Sequence, residues 1–263
     1  MFDTQELVRL EKIIQGTSDD ILTPFFNHTV ARDKSDGSIV TEADLKMQEG
    51  LRAALAGFAP GIRLLGEEMD AATQQAVIDS DDDYWCLDPL DATNNFHHGV
   101  PLFSVSVALI SRHRVRMGMV YDPIRGEMFS ALEGDGLRIN GAAADKPVQP
   151  TEIGRCIASV DFKRLQLPLK EHLVRRMPFK SQRNVGSCAL EWAWLAAGRI
   201  QLLLHGGEKF WDYAAGTLLT AEAGGLSCDF EGADIFNSSL QSRPVVGAST
   251  PSLHRQWREF LAG

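Results

Sequence analysis

Asp88-Pro89-Leu90-Asp91-Ala92-Thr93-Asn94-Asn95-Phe96 follows directly on the apolar stretch 84–87, Tyr-Trp-Cys-Leu. Four apolar residues that run into two acids read as a short buried strand with a ligand-bearing end. Pro89 fixes its own φ and biases Asp88 toward an extended conformation. Asp88 and Asp91 stand three apart across a sharp turn. Both carboxylates can therefore face one point, with the Leu90 carbonyl as a further oxygen donor. Ala92 and Thr93 then open a short helix and present free N–H groups to a phosphate. The φ of Ala92 is expected to be negative there, which alanine tolerates.

Outward from this run, two more strand ends carry acids. Glu67 and Glu68 follow a short strand at 62–65, and Asp212 follows Trp211 where a new helix starts. In α/β sheets, ligands bind beyond the C-terminal ends of strands. Carboxylate and carbonyl oxygens suit Mg²⁺ or Mn²⁺ better than zinc. The acid-rich segment 79–83 lacks such a context and reads as a solvated run.

The rest of the chain supplies a frame for these ends. Leu7, Leu10, Ile13, Ile14 and Ile21 predict one or two amphipathic helices over 7–26. Lys34, Asp36 and Gly37 mark a loop or hairpin, and Thr41-Glu-Ala-Asp44 caps a helix at 45–58. The pattern over 103–129 is strongly β, with turns at 112–114 and 121–123. Beyond Pro150, strands at 156–160, 181–184, 200–204 and 245–248 alternate with helices at 169–176, 187–197, 213–223 and one from Ser252. The expected class is therefore α+β followed by α/β. A lobe boundary divides residues 1–147, with most of the metal ligands, from 148–263, which complete the site.

A chain of 263 residues with 44% hydrophobic and 23% charged residues can bury a large core. Its net charge of −9, without a basic stripe, argues against direct nucleic-acid binding. Arg112, His113, Arg114 and Arg116 fall on a strand and hairpin and read as a solvated edge. An acidic chain repels an anionic ester unless bound cations intervene. Four scattered cysteines without a C-x-x-C pair read as reduced thiols of a cytoplasmic protein. The charged start MFDTQELVRLEKIIQG does not read as a secretory signal, and no apolar run is long enough to span a bilayer.

Four motifs in order resemble the inositol monophosphatase family, within the superfamily that includes fructose-1,6-bisphosphatase. They are Lys34-x-Asp36-Gly-Ser-x-Val-Thr41-x-Ala-Asp44, Gly66-Glu67-Glu68, Asp88-Pro-Leu-Asp91-Ala-Thr93-Asn-Asn-Phe96 and Trp211-Asp212-Tyr-Ala-Ala-Gly216 with Glu222-Ala-Gly-Gly225. The likeness covers roughly residues 34 to 248. It implies a layered αβαβα sandwich of the sugar-phosphatase type and phosphomonoester hydrolysis with two or more Mg²⁺ ions. By motif position, Glu67, Asp88 and the Leu90 carbonyl would hold one ion. Asp88, Asp91 and Asp212 would hold a second, and Glu67 would help to hold a third, weaker one. Thr93 and Asp44 correspond to the pair that orients and deprotonates the attacking water, assisted by Glu67. The resemblance further implies a homodimer, sensitivity to Li⁺ and a small-molecule phosphate ester as partner.

Two positions depart from the family pattern. Ala92 stands where glycine is usual, with its methyl toward the substrate. His205, seven residues before Asp212, stands where inositol-specific members carry an acid. A histidine can donate to a second phosphate or to a hydroxyl, whereas a carboxylate only accepts. Glu191, on the helix expected at 187–197, is placed to compensate. Ala92, Thr93, Glu191, His205 and Asp212 are thus the expected substrate contacts. The leading reading is hydrolysis of inositol 1-phosphate or a related polyol or sugar phosphate. The alternatives are a fructose-1,6-bisphosphatase, a 3′-phosphoadenosine nucleotide phosphatase, or a family member that binds the transcription machinery.

Overall fold

The computed structural model describes residues 2–34, 37–237 and 239–263. Asp36 of the first motif lies outside them. In chain order the elements are α1 (Thr4–Phe25), the hairpin β1 (Ala31–Asp33) and β2 (Ile39–Thr41), α2 (Glu42–Phe58), β3 (Arg63–Gly66), α3 (Ala71–Ile78), β4 (Tyr84–Asp91) and α4 (Thr93–His97). A meander follows: β5 (Ser104–Ser111), β6 (Arg114–Asp122), β7 (Glu127–Leu132), β8 (Leu137–Ile139) and β9 (Ala142–Ala143). The remainder comprises β10 (Ile157–Val160), α5 (Leu167–Arg176), β11 (Ser181–Arg183), α6 (Cys188–Ala196), β12 (Leu202–Glu208), α7 (Phe210–Glu222), β13 (Leu226–Cys228), β14 (Arg243–Ala248) and α8 (Pro251–Leu261).

Side chains alternate across a strand, so one sheet can serve two cores. In β5, Val105, Val107 and Leu109 face the core beneath α1 and α2, where Leu7, Leu10, Met47 and Leu51 lie. Ala108 and Ile110 face the opposite core, formed with α6 and α7. The same α6–α7 layer also packs on Leu203 and Val245 of the second sheet. The far face of that sheet, with Leu202, Leu204 and Val246, is covered by Leu173 of α5 and by Leu253 and Trp257 of α8. Helix, sheet, helix, sheet, helix is the resulting order, the expected αβαβα sandwich. The larger sheet runs β3-β4-β5-β6-β7-β8-β9 and is antiparallel apart from β3–β4. The smaller runs β11-β10-β12-β14-β13, with β10 parallel to both its neighbours.

β4 and β12 run beyond the ends expected from the sequence. β4 does not stop at residue 87 but continues through Asp91, with an irregularity between Asp88 and Asp91 that absorbs the turn. β12 runs on to Glu208, so His205 lies within the strand rather than at its end. Gly206-Gly207 forms a break in register against β14. β13 was not expected, being three residues long.

The middle layer is held at a close distance by small residues. A Cβ on Gly118 of β6 would sit 2.8 Å from the Ala215 carbonyl oxygen of α7. On the other side of α7, a Cβ on Gly216 would collide with the Trp192 ring of α6. The Ala-Ala-Gly run after Asp212 is therefore a spacing device that sets how deep α7 lies. Gly118→Ala is expected to destabilise the protein by about 1–3 kcal/mol through overpacking. A lower urea midpoint would register this, and an unchanged midpoint would show that α7 can withdraw from the sheet.

Candidate active site

Period two along β4 places Tyr84, Cys86 and Asp88 on the face toward α7, because Tyr84 and Cys86 belong to the α6–α7 core. Asp212 is the third residue of α7, and its Oδ2 accepts the Lys209 N–H at 2.8 Å across the helix start. One oxygen each from Asp88, Asp91 and Asp212 lies within 4.8 Å of the others. Asp91 is fixed by three donors to its Oδ2: Ser187 Oγ at 2.6 Å, the Ala189 N–H at 2.7 Å and Ser104 Oγ at 3.4 Å. Asp88 Oδ1 accepts the Leu90 N–H at 3.0 Å.

Burial raises all three carboxyls; the charges of Glu67, Asp91 and Asp212 raise Asp88 further, and those of Asp91 and Glu67 raise Asp212 further. Asp91 is pushed up to about 6, first by burial. Three hard oxygen donors that converge under mutual repulsion fit a divalent cation, whose charge would reverse that repulsion.

Glu67 is not part of this trio. Its Oε1 lies 3.0 Å from Lys34 Nζ, which also holds Glu68 at 2.5 Å. The Glu67 N–H donates to the Leu87 carbonyl at 3.1 Å, which keeps its side chain beside the end of β4. Burial and the neighbouring Glu67 charge push Glu68 up to about 7. The Leu90 carbonyl accepts from Thr93 Oγ1 at 3.2 Å.

The Thr93 hydroxyl makes a shorter bond to Asp44 Oδ1, at 2.7 Å. Asp44 Oδ2 meanwhile accepts from the Thr41 N–H at 2.8 Å and from Thr41 Oγ1 at 2.6 Å, closing a capping box at the start of α2. Asp44 is fully buried, and burial raises its pKa. One carboxylate thus starts a helix and accepts the Thr93 hydrogen bond.

The conformation of Ala92 corrects the sequence expectation. Its φ is +72° and its ψ 50°, in the left-handed region, not the negative φ of an ordinary helix start. The chain must turn back sharply from β4 for Thr93 to reach both Leu90 and Asp44. Alanine carries a steric cost of roughly 1–2 kcal/mol in that conformation, and so glycine is the easier residue there. The rest of the run anchors it. Asn95 Nδ2 donates to the Leu102 and Val185 carbonyls at 2.6 and 2.9 Å, and Phe96 packs edge-on against Phe103.

Next to Asp212 opens a cavity of about 150 Å³. Glu191 and His205 line it, as the sequence reading expected, and so do Asp161, Arg164 and Lys209, which it did not single out. Asp161 follows the strand β10, so the strand-end rule applied to Asp88 would have found it. Ser187, the N-cap of α6, leaves a weaker signal as a serine before an apolar helix. Glu191 is buried, accepts the Val185 N–H at 2.7 Å, and is pushed up to about 7 by burial. Both ring nitrogens of His205 have protein partners. The Gly207 N–H donates to Nδ1 at 3.1 Å, and Nε2 lies 3.2 Å from Asp161 Oδ2.

Residues 4–262 match the family model described as inositol monophosphatase family. The chain belongs to the inositol monophosphatase family. Its class is that of a phosphoric monoester hydrolase. Among relatives in this family, Nus factor SuhB of Pasteurella multocida is 35% identical over 226 residues, covering 82% of this chain and 80% of its own. Inositol monophosphatase 1 of Solanum lycopersicum is 32% identical over 246 residues, covering 89% and 85%. The solved structure of a Thermotoga maritima IMPase superposes with a TM-score of 0.83 at 26% identity, over 96% of this chain and 95% of that one.

Asp91→Asn and Asp212→Asn are each expected to weaken Mg²⁺ binding by at least about tenfold and to remove nearly all turnover. Each relieves carboxylate repulsion, so neither should lower the stability of the metal-free protein. Calorimetric Mg²⁺ titration with thermal unfolding separates the two effects, and unchanged affinity in both variants would dissolve the site.

Glu191 offers a pH test. Its folded pKa lies above the unfolded value, so folding favours the protonated acid. The associated stability is complete below about 4.5 and is lost as pH rises through about 7. Glu191→Gln should therefore gain stability relative to the parent above pH 7, by roughly 1–3 kcal/mol, and little at pH 4. Parallel unfolding curves at the two pH values check this.

Proposed function

We propose that this protein hydrolyses a phosphomonoester of a polyol or sugar, inositol 1-phosphate or a close relative, with Mg²⁺ and an activated water. The single observation that carries the reading is the Thr93–Asp44 bond beside the three-carboxylate cluster. A structural Ca²⁺ site would use the carboxylates alike, but it has no use for a hydroxyl aimed at a buried carboxylate.

Asp88, Asp91 and Asp212 would hold the metal, with Glu67 and the Leu90 carbonyl as further donors, and Mn²⁺ would suit the same oxygens. Mg²⁺ held there would neutralise the ester's negative charge and ease deprotonation of the attacking water. Thr93 Oγ1 accepts a proton from that water while its own proton passes to Asp44 Oδ1. Burial increases the proton affinity of Asp44, and the two Thr41 donors leave Oδ1 as the receiving atom. A water–phosphorus bond forms in line as the ester P–O bond breaks; the bond pair leaves on the polyol oxygen, which takes a proton from a solvent water to become the alcohol. The resemblance also supports a homodimer, and inhibition by Li⁺ through displacement of a weakly held Mg²⁺.

The test is kcat/KM with Mg²⁺ across inositol 1-phosphate, fructose-1,6-bisphosphate and 3′-phosphoadenosine 5′-phosphate. The polyol monophosphate is expected to lead. Thr93→Ala should lower its kcat by roughly 10²–10⁴, and chelation should abolish turnover. No turnover of any ester would sink the reading, and preference for a bisphosphate would move it to the alternative substrates. A relative named Nus factor SuhB favours one further role, binding to the transcription machinery. Such binding would survive in the Asp91→Asn variant.

A further inference from the structure

The geometry points to Asp161 as the residue that selects the substrate: its carboxylate, mounted by His205-Gly206-Gly207, accepts hydrogen bonds from hydroxyls of a neutral polyol moiety. This inference rests on the phosphatase reading and names what the cavity beside the cluster recognises.

The mount is built from three adjacent residues of β12. The Gly207 N–H occupies Nδ1 of His205 as a donor at 3.1 Å, so Nδ1 carries no proton. The proton is then on Nε2, where it points at Asp161 Oδ2, 3.2 Å away. Gly206 provides the room. A Cβ at that position would run into the Arg164 carbonyl, so only glycine lets the turn Phe162–Arg164 lie against β12 and bring Asp161 to His205. On the other side, Asp161 Oδ1 accepts the Lys163 N–H at 2.8 Å. Both oxygens are thereby oriented, each with a lone pair to spare. The His205 hydrogen bond holds the carboxyl below its ordinary pKa, so it remains an acceptor-only group at neutral pH.

The cavity wall tells which donor suits it. Asp161 shares the wall with the basic residues Arg164 and Lys209. An ammonium group would meet both cations, and a second phosphate would meet the Asp161 carboxylate. A polyhydroxylated group both donates and accepts, and it matches a wall of mixed charge. His205 itself is 5% exposed, with both ring nitrogens engaged, so it acts as a positioning residue and not as a contact.

The experiment compares inositol 1-phosphate with phenyl phosphate, which has no hydroxyl on its leaving group, using the full chain with Mg²⁺. Asp161→Asn keeps one oxygen for the Lys163 N–H and loses the free acceptor. The ratio of kcat/KM for inositol 1-phosphate over phenyl phosphate should fall by roughly ten- to a hundredfold, mainly through KM. His205→Leu, which removes the donor that orients Asp161, should lower the ratio in the same direction. His205→Gln, which retains an N–H toward Asp161, should preserve it. An unmoved ratio in Asp161→Asn, with both esters still hydrolysed, overturns this assignment alone. A selective gain for fructose-1,6-bisphosphate in Asp161→Asn without loss for inositol 1-phosphate also overturns it. If the parent protein hydrolyses neither ester, the phosphatase reading falls and this inference with it.

Discussion

Crowding three carboxylates, with oxygens within 4.8 Å of one another, into a largely buried corner opposes folding, and the surrounding structure is arranged to hold them there. Asp91 is tied by two hydroxyls and a backbone N–H from β5 and the start of α6. Asp88 is held by the irregular end of β4, and Asp212 by the first turn of α7. Asp88 and Asp91 come from the end of β4 and Asp212 from α7, and the third joins the other two because α7 lies close against the larger sheet. That closeness depends on Gly118, Ala215 and Gly216, whose lack of bulk lets backbone approach backbone. A structural cost in one place, repulsion among acids, is the same property that makes the corner fit a divalent cation.

Local folding signals and chemistry share residues here. Asp44 closes the capping box of α2 with one oxygen and takes the Thr93 hydroxyl with the other. A residue needed for a helix start is hard to move, which makes it a rigid hydrogen-bond acceptor for the Thr93 hydroxyl. Ala92 shows the converse. Its left-handed backbone carries a steric cost in exchange for the direction of Thr93. Further along, His205-Gly206-Gly207 gives up strand regularity so that the neighbouring turn can approach β12. Glycine appears in these places because a Cβ would occupy space already taken by backbone or a ring.

Much of this was legible in the order of residues. Period two in 103–129 and the alternation of strands and helices beyond Pro150 follow from which side chains must leave water, and the layered class follows from them. Asp88, Asp91 and Asp212 were readable because Pro89, the strand end and the helix start constrain the chain locally, and the motif likeness added Asp44 and Thr93. The helix cap at Thr41 is equally local, and the structure shows it.

What the sequence could not contain is distance between elements far apart along it. The pairing of Asp161 with His205, the Ser187 bond to Asp91 and the Lys34 hold on Glu67 each join separate elements, and no spacing along the chain encodes them. The end of the strand expected at 200–204, and the sign of φ at Ala92, were misread for the same reason. Glycine and alanine propensities describe a backbone on its own, whereas here β14 and the Phe162–Arg164 turn fix the path of β12, and the reach of Thr93 to Asp44 fixes that of Ala92. Local sequence determined which groups carry the chemistry and which elements bear them. Tertiary packing alone decided how far apart those groups sit, because that distance is set by the side chains of other elements lying between them.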